Sequence, residues 1–225
     1  SGAEAIVILE NFAHVLEQVL TKTPVKHIVV ASLGEMLGFK GLIVNFVVRN
    51  VKKMVPAFNL PGTIRFNAAI SEGSGLQLKK VEVGHEDIAF LQYTGGTTGV
   101  SKGAMLLHRN ILANMEQVSA WFSPTRDENN PLVMVAPLPL YHIYALTCNC
   151  LFMMRDGGCC LLIPNPRDIP GFIKELKSNR FSAISGLNTL YNALLNHPDF
   201  ARIDFSGLRM ATAGGMAMQK AVAER

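Results

Sequence analysis

Apolar positions recur along this chain with two periods, and the switches between them mark out its elements. Residues 5–9 are an apolar run, Phe12, Val15, Leu16, Val19 and Leu20 follow at helical spacing, and a β-branched run at 27–31 comes after Pro24. Strand, helix and strand in that order form a βαβ unit, which makes the two strands parallel. Residues 41–58 carry Leu42, Ile43, Phe46, Val47, Val51, Met54 and Val55, interrupted by Arg49, Lys52 and Lys53. A basic amphipathic helix has this pattern, whether it lies on a membrane surface or packs on its own sheet with a lysine rim. Residues 59–84, with Pro61, Gly62, Gly73 and Gly75, predict a connector holding at most one strand.

Apolar runs at 88–91 and 104–107 then flank a glycine-rich stretch. A helix is predicted over 108–122, with Ile111, Leu112, Met115 and Val118 on one face, closed by Trp121 and Phe122. Residues 123–131 are a polar loop. From Leu132 the alternation is regular: strand 132–136, helix 141–155, strand 159–163, helix 168–178, strand 182–185, helix 188–196, strand 208–213 and a last helix 216–225. Asp168 suits the N-cap of its helix, and Pro170 the first turn. This alternation predicts an α/β fold of doubly wound, mainly parallel sheets with flanking helices. The division falls at 84: the βαβ unit and connector occupy 1–84, and 85–225 form the subdomain that carries the chemistry. Both ends read as cuts within a longer chain, because strand 5–9 has nothing before it and the last helix has no stop signal.

An apolar share of 49% and a charged share of 17% exclude a disordered chain. The net charge of +4 is too small and scattered for nucleic acid, though it suits anionic small molecules. No apolar run is long enough to span a bilayer, and the start shows no signal peptide. Cys148, Cys150, Cys159 and Cys160 lack Cys-x-x-Cys spacing and a histidine at zinc-finger distance. Their apolar neighbours predict buried, reduced thiols in a cytoplasmic protein.

Chemistry concentrates at Tyr93, Thr94, Gly95, Gly96, Thr97, Thr98, Gly99, Val100, Ser101, Lys102 and Gly103. Glycines here let backbone N–H groups approach a ligand and form an anion-binding nest. The hydroxyls add donors without charge, and Lys102 adds a mobile point charge suited to a polyphosphate. Each hydrogen bond to a charged oxygen is worth roughly 1.5–3 kcal/mol, so three or four would hold a triphosphate. The order is not that of a Walker A loop, because Lys102 is followed by glycine and apolar residues rather than by Ser or Thr and a helix.

In a doubly wound sheet, ligands bind beyond the carboxyl ends of the strands. Three turns leave strands there: 137–142, 186–188 and 213–215. His142 is the only histidine in such a turn, and on its own it reads more often as a structural residue than as a catalytic one. His14, His27, His85, His108 and His197 fall in helices or connectors. No carboxylate pair points to a glycosidase or aspartic protease, and no Gly-x-Ser-x-Gly elbow is present.

The 93–103 stretch resembles the signature loop of the adenylate-forming superfamily, which includes acyl-CoA synthetases, luciferases and peptide-synthetase adenylation domains. Residues 90–117, 138–146, 165–174, 188–196 and 214–225 are more closely similar to bacterial long-chain fatty acid–CoA ligases. That resemblance covers the whole chain, as a middle section of such an enzyme's N-terminal domain; the C-terminal domain lies outside it. It implies two half-reactions: a fatty acid and ATP give acyl-AMP and pyrophosphate, then coenzyme A displaces AMP. By resemblance, the residues of the 93–103 motif hold the phosphates, and Gly214 and Gly215 pass under the adenine. Ala213 stands where relatives often have a third glycine. His142 borders the acyl carboxylate, and with Lys102 it is the implied catalytic residue. Gly186, Leu187, Asn188 and Leu146 are implied to line the acyl pocket, with Leu140 and Ile143 as further apolar candidates, although core packing accounts for these leucines equally well.

No metal site is expected in the chain itself. Mg2+ would come with ATP, touched by Thr97 and by a glutamate downstream of residue 225. The ribose-binding aspartate, the hinge and a C-terminal lysine are also expected downstream, so these 225 residues alone are expected to lack ligase activity. Peripheral contact with the cytoplasmic face of the inner membrane and a homodimer are further open expectations. Two other readings stand beside this one: an adenylating enzyme for an aryl or amino acid, and a non-catalytic nucleotide- or membrane-binding module. The candidate pocket has no acidic partner for an ammonium group, which lowers the amino-acid version.

Overall fold

The structure is a computed structural model that describes residues 2–94 and 101–225. It forms two compact units, the first reaching to Glu82 and the second running from Val83 to Arg225.

In the first unit, β1 (Ala5–Leu9) and β2 (His27–Ala31) pair in parallel and are joined by α1 (Ala13–Val19). Ala13 and Leu16 of α1 close a core with Ile28, Val30 and Leu60. β3 (Thr63–Arg65) adds to β2, also in parallel, and runs straight into α3 (Phe66–Ser74). The sequence reading missed α3, because that helix buries no residue and so leaves little apolar period to detect.

The helix expected over 41–58 is α2 (Phe39–Phe46), continued by a π-helical turn, Val47–Val51. It ends there because Lys53 adopts a φ of 50°, which no right-handed helix contains. The face of α2 turned inward is polar and small. A Cβ on Gly41 would lie 2.0 Å from the Gly34 carbonyl oxygen, and the Asn45 amide accepts from Gly34 N–H and donates to Ser32 Oγ, both at 2.8 Å. Arg49 is not part of a free basic rim. It grips buried Glu10 with two hydrogen bonds of 2.9 and 2.8 Å, and Arg65 adds a longer pair at 3.7 Å.

The second unit begins with an antiparallel hairpin, β4 (Ile88–Thr94) and β5 (Lys102–Leu107). Tyr93 pairs with Gly103 and Thr94 with Lys102, so the ladder runs into residues that the sequence pattern assigned to the loop. Then follow α4 (His108–Phe122), β6 (Val133–Ala136), α5 (Ile143–Ala145), a π-helical turn at Leu146–Leu151, α6 (Phe152–Arg155), β7 (Cys159–Leu162), α7 (Ile169–Ser178), β8 (Ala183–Gly186), α8 (Asn188–Leu195), β9 (Met210–Ala213) and α9 (Lys220–Glu224). The sheet order is β7-β6-β8-β9, with every neighbouring pair parallel.

Side chains alternate across this sheet and feed two cores. Val135 and Ile184 join Phe172, Leu176 and Leu194 of α7 and α8 on one face; Met134 and Ala183 join Phe122, Phe152 and Met153 on the other. Helices on both faces make the sheet doubly wound, as the alternation predicts. Asp168 caps α7 as expected, its carboxylate accepting from Gly171 N–H at 3.1 Å. Three expectations are corrected. Trp121 is 82% exposed, and only Phe122 turns inward, edge-on to Phe152. The last helix is limited to Lys220–Glu224, because Gln219 N–H is held by Asn188 Oδ1 at 2.9 Å. The cysteines are free but not buried: Cys159 is exposed and the other three are half-buried, since the ends of β7 and the π turn lie near the surface.

The Glu10 carboxylate keeps 4% of its side-chain exposure and Arg49 38%, so losing Arg49 leaves a nearly buried charge with only the longer Arg65 contact at 3.7 Å. Arg49→Met is expected to lower unfolding stability by about 2 kcal/mol, less than the loss for a fully buried pair. Adding Glu10→Gln should recover part of that loss in urea titrations; an unchanged midpoint for Arg49→Met would refute the account.

Candidate functional site

β6, β8 and β9 are successive parallel neighbours, so the turns at 137–142, 186–188 and 213–215 open on one edge of the sheet. Hydrogen bonds tie these turns together. Gly214 N–H donates to Gly186 O at 3.1 Å, and the Tyr191 hydroxyl is shared between Thr212 O at 2.7 Å and Ile184 O at 3.2 Å. The Tyr144 hydroxyl donates to Thr212 Oγ1 at 3.0 Å. The β4–β5 hairpin reaches the same place, because Gln92 Nε2 donates to Tyr141 O at 3.0 Å, one residue before His142.

His142 is the N-cap of α5, and its Nδ1 accepts from Tyr144 N–H at 3.2 Å. With Nδ1 used as an acceptor, the neutral ring carries its proton on Nε2, a donor suited to an oxyanion. The ring is exposed at the mouth of the turn. Ser101 Oγ donates to Thr94 O at 3.1 Å and closes the base of the hairpin, with Lys102 exposed opposite Thr94. Gly95, Gly96, Thr97, Thr98 and Gly99 lie outside the described residues.

The glycines at the sheet edge answer to contacts. A Cβ on Gly214 would sit 2.7 Å from the Tyr144 ring, and one on Gly186 would sit 2.9 Å from the Tyr191 ring. Gly215 has a φ of 79°, in the left-handed region that glycine adopts without strain. The remaining pocket candidates divide. Leu187 packs on the core of α7 and α8, and Asn188 is buried with its Oδ1 engaged by Gln219. Leu146 is half-buried on the π turn. Leu140 instead lines a cavity of about 640 Å³ beyond β6 and β7, with Pro137, Leu138, Tyr141, Pro164 and Arg167.

Sequence reasoning missed Gln92, Tyr144 and Tyr191. One signal was available: tyrosines two residues after His142 and three after Asn188 bring hydroxyls close to the turns that leave the strands. Burial pushes both phenols above their ordinary value, so they stay protonated donors. Burial also raises Cys148, and it raises Cys160 to about 11, which leaves these thiols protonated and poorly nucleophilic. Among the described residues, no group of His, Cys, Asp and Glu is placed to hold a metal ion.

The family model described as AMP-binding enzyme matches residues 1–225. The chain belongs to the AMP-binding enzyme family. A long-chain-fatty-acid–CoA ligase of Escherichia coli O6:H1 is 55% identical over 226 residues, covering all of this chain and 40% of that ligase. A feruloyl-CoA synthase of Amycolatopsis sp is 34% identical over 143 residues, 64% of this chain and 28% of that synthase. Among solved structures, the anthranilate CoA ligase AuaEII in complex with anthranoyl-AMP superposes with a TM-score of 0.72 at 20% identity, over 98% of this chain and 38% of that one. At that identity the likeness shows the fold alone. The chain thus spans 40% of the length of the E. coli ligase.

The two half-buried tyrosines set a pH limit on this unit. A phenol with a raised folded-state pKa stabilises fully below its unfolded value of 10.0, and that contribution is lost as pH rises beyond it. Unfolding midpoints are therefore expected to fall above about pH 10, more steeply than in Tyr191→Phe. Parallel slopes for the two proteins would show that Tyr191 is not the group responsible.

Proposed function

We propose that the protein carrying this chain is an ATP-dependent long-chain fatty acid–CoA ligase. A fatty carboxylate oxygen attacks the α-phosphorus of ATP, the α–β P–O bond breaks, and pyrophosphate leaves. The coenzyme A thiol then attacks the acyl carbonyl, forming the C–S bond as the bond to AMP breaks and the thiol proton passes to solvent. The observation that carries this reading is the meeting of four elements at one sheet edge: the phosphate-type hairpin, the His142 turn, the Gly186 turn and the Gly214–Gly215 strand end. Similarity to the long-chain ligase over the whole chain, against a partial match to the feruloyl enzyme, favours an aliphatic acid over an aryl one.

In this mechanism the motif from Tyr93 to Gly103 grips the β,γ-phosphates through backbone amides, hydroxyls and Lys102. His142 offers Nε2–H to the carboxylate and orients it, and Gly214 with Gly215 lets the adenine lie against bare backbone. The catalytic share of these groups is positioning and charge stabilisation. We assign these contacts to residues 85–225, with 1–84 as the βαβ unit and connector. Mg2+ would be carried by the nucleotide, with the Thr97 hydroxyl as a contact. A second reading concerns placement at the cytoplasmic face of the membrane. α2 leaves Phe39, Leu42, Ile43 and Phe46 exposed, with Lys40, Lys52 and Lys53 also exposed on the same segment. No helix among the described residues is long and apolar enough to cross a membrane.

Two measurements on the full-length protein test these readings. ATP–pyrophosphate exchange is expected with oleate and at least tenfold less with benzoate or amino acids, and Lys102→Ala should lower it about 10²-fold. A preference for benzoate, or an unaffected Lys102→Ala, would reject the ligase assignment. On vesicles rich in anionic lipid, Lys52→Glu with Lys53→Glu should weaken sedimentation by about tenfold or more; undiminished binding would remove α2 from the membrane.

A further inference from the structure

We infer that Tyr144 is a positioning residue that braces the His142 turn against the nucleotide strand end. This rests on the ligase reading of the site. Three contacts of one residue make the case. Its backbone N–H donates to His142 Nδ1 at 3.2 Å, its hydroxyl donates to Thr212 Oγ1 at 3.0 Å, and its ring occupies the space where a side chain at Gly214 would stand. Thr212 is the residue whose carbonyl also receives the Tyr191 hydroxyl, so the end of β9 is clamped from two helices at one position.

The chemistry of the brace follows from where it is placed. Attack of the carboxylate on the α-phosphorus needs the carboxylate, oriented at His142, and the nucleotide, lying at Gly214 and Gly215, at one set separation. These two ends belong to different strands, β6 and β9, which are not neighbours; β8 lies between them. Tyr144 spans that gap. Its hydroxyl fixes the β9 side, while the tie to His142 is a backbone hydrogen bond that survives loss of the hydroxyl. Removing the hydroxyl should therefore loosen the nucleotide end and leave the carboxylate end in place.

The test compares Tyr144→Phe, which keeps the ring over Gly214, with Thr212→Val, which keeps the shape but not the hydroxyl, in the full-length protein. Each is expected to raise the KM for ATP in pyrophosphate exchange about fivefold, the effect of one lost hydrogen bond, with the KM for fatty acid changed less than twofold. The double variant should be no worse than either single one, and Thr212→Ser should return the KM for ATP to within about twofold of the parent. A purely structural role predicts lower melting temperatures with both KM values unchanged, because a smaller active fraction does not alter KM; that result, or additive effects in the double variant, would overturn the inference. Exchange by the unaltered protein with no carboxylic acid at all would instead overturn the ligase reading beneath it.

Discussion

The parallel ladder from β6 through β8 to β9 is the constraint on which the site depends. Met134 lies beside Ala183, Ala183 beside Met210, and Gly186 beside Ala213, so the three strands end level with one another. Level ends put three turns on one edge, and only a parallel arrangement does that with helices returning on both faces. What holds the register is burial on two sides at once. Val135 and Ile184 serve one core while Met134 and Ala183 serve the other. A slip by one residue would exchange the two sets and empty both cores.

Above this ladder the edge is built by close approach rather than by bulk. Gly186 and Gly214 each face a tyrosine ring at a distance that excludes a Cβ, and both rings send their hydroxyls to Thr212. Ring contact therefore sets these two glycines. Ala213 is exposed at the end of β9 and meets no such demand. The same reasoning explains why a third glycine is not required at that position for the edge to close.

Much of the fold could be read from the sequence where burial imposes a period. Strands Ala5–Leu9 and His27–Ala31 and helix His108–Phe122 have the predicted bounds, because each presents an apolar run or stripe to a core. α3 was invisible because it buries nothing, and the segment that continues α2 ends at a left-handed residue, Lys53, three residues ahead of the Pro56 that falls inside the predicted 41–58 span. Trp121 misled by chemistry: a large aromatic next to Phe122 invites burial, but adjacent helical positions are about 100° apart and only one of them can face the core. At the site, the turn positions of His142, Gly186 and Gly214 were readable because sheet topology dictates them. Tyr144, Tyr191 and Gln92 were not, since each acts across many residues of sequence, from 21 for Tyr191 to Thr212 up to 68 for Tyr144 to Thr212, and no local pattern encodes such a pairing.

These long-range bonds also divide the edge into a stiff part and a tethered part. The turns after β6, β8 and β9 are cross-linked by two phenols kept protonated by burial and by the backbone bond from Gly214 to Gly186. The β4–β5 hairpin belongs to a separate sheet, and among the described residues it is joined to this edge by the solvent-exposed bond from half-buried Gln92 to Tyr141 O. An exposed neutral hydrogen bond contributes only about 0.5–1.5 kcal/mol, so the tether is the weaker link. Under the proposed ligase reading, a hairpin tethered in this way would adjust to a polyphosphate while the turns after β6, β8 and β9 stay fixed, and pyrophosphate could leave between two steps without disturbing that edge.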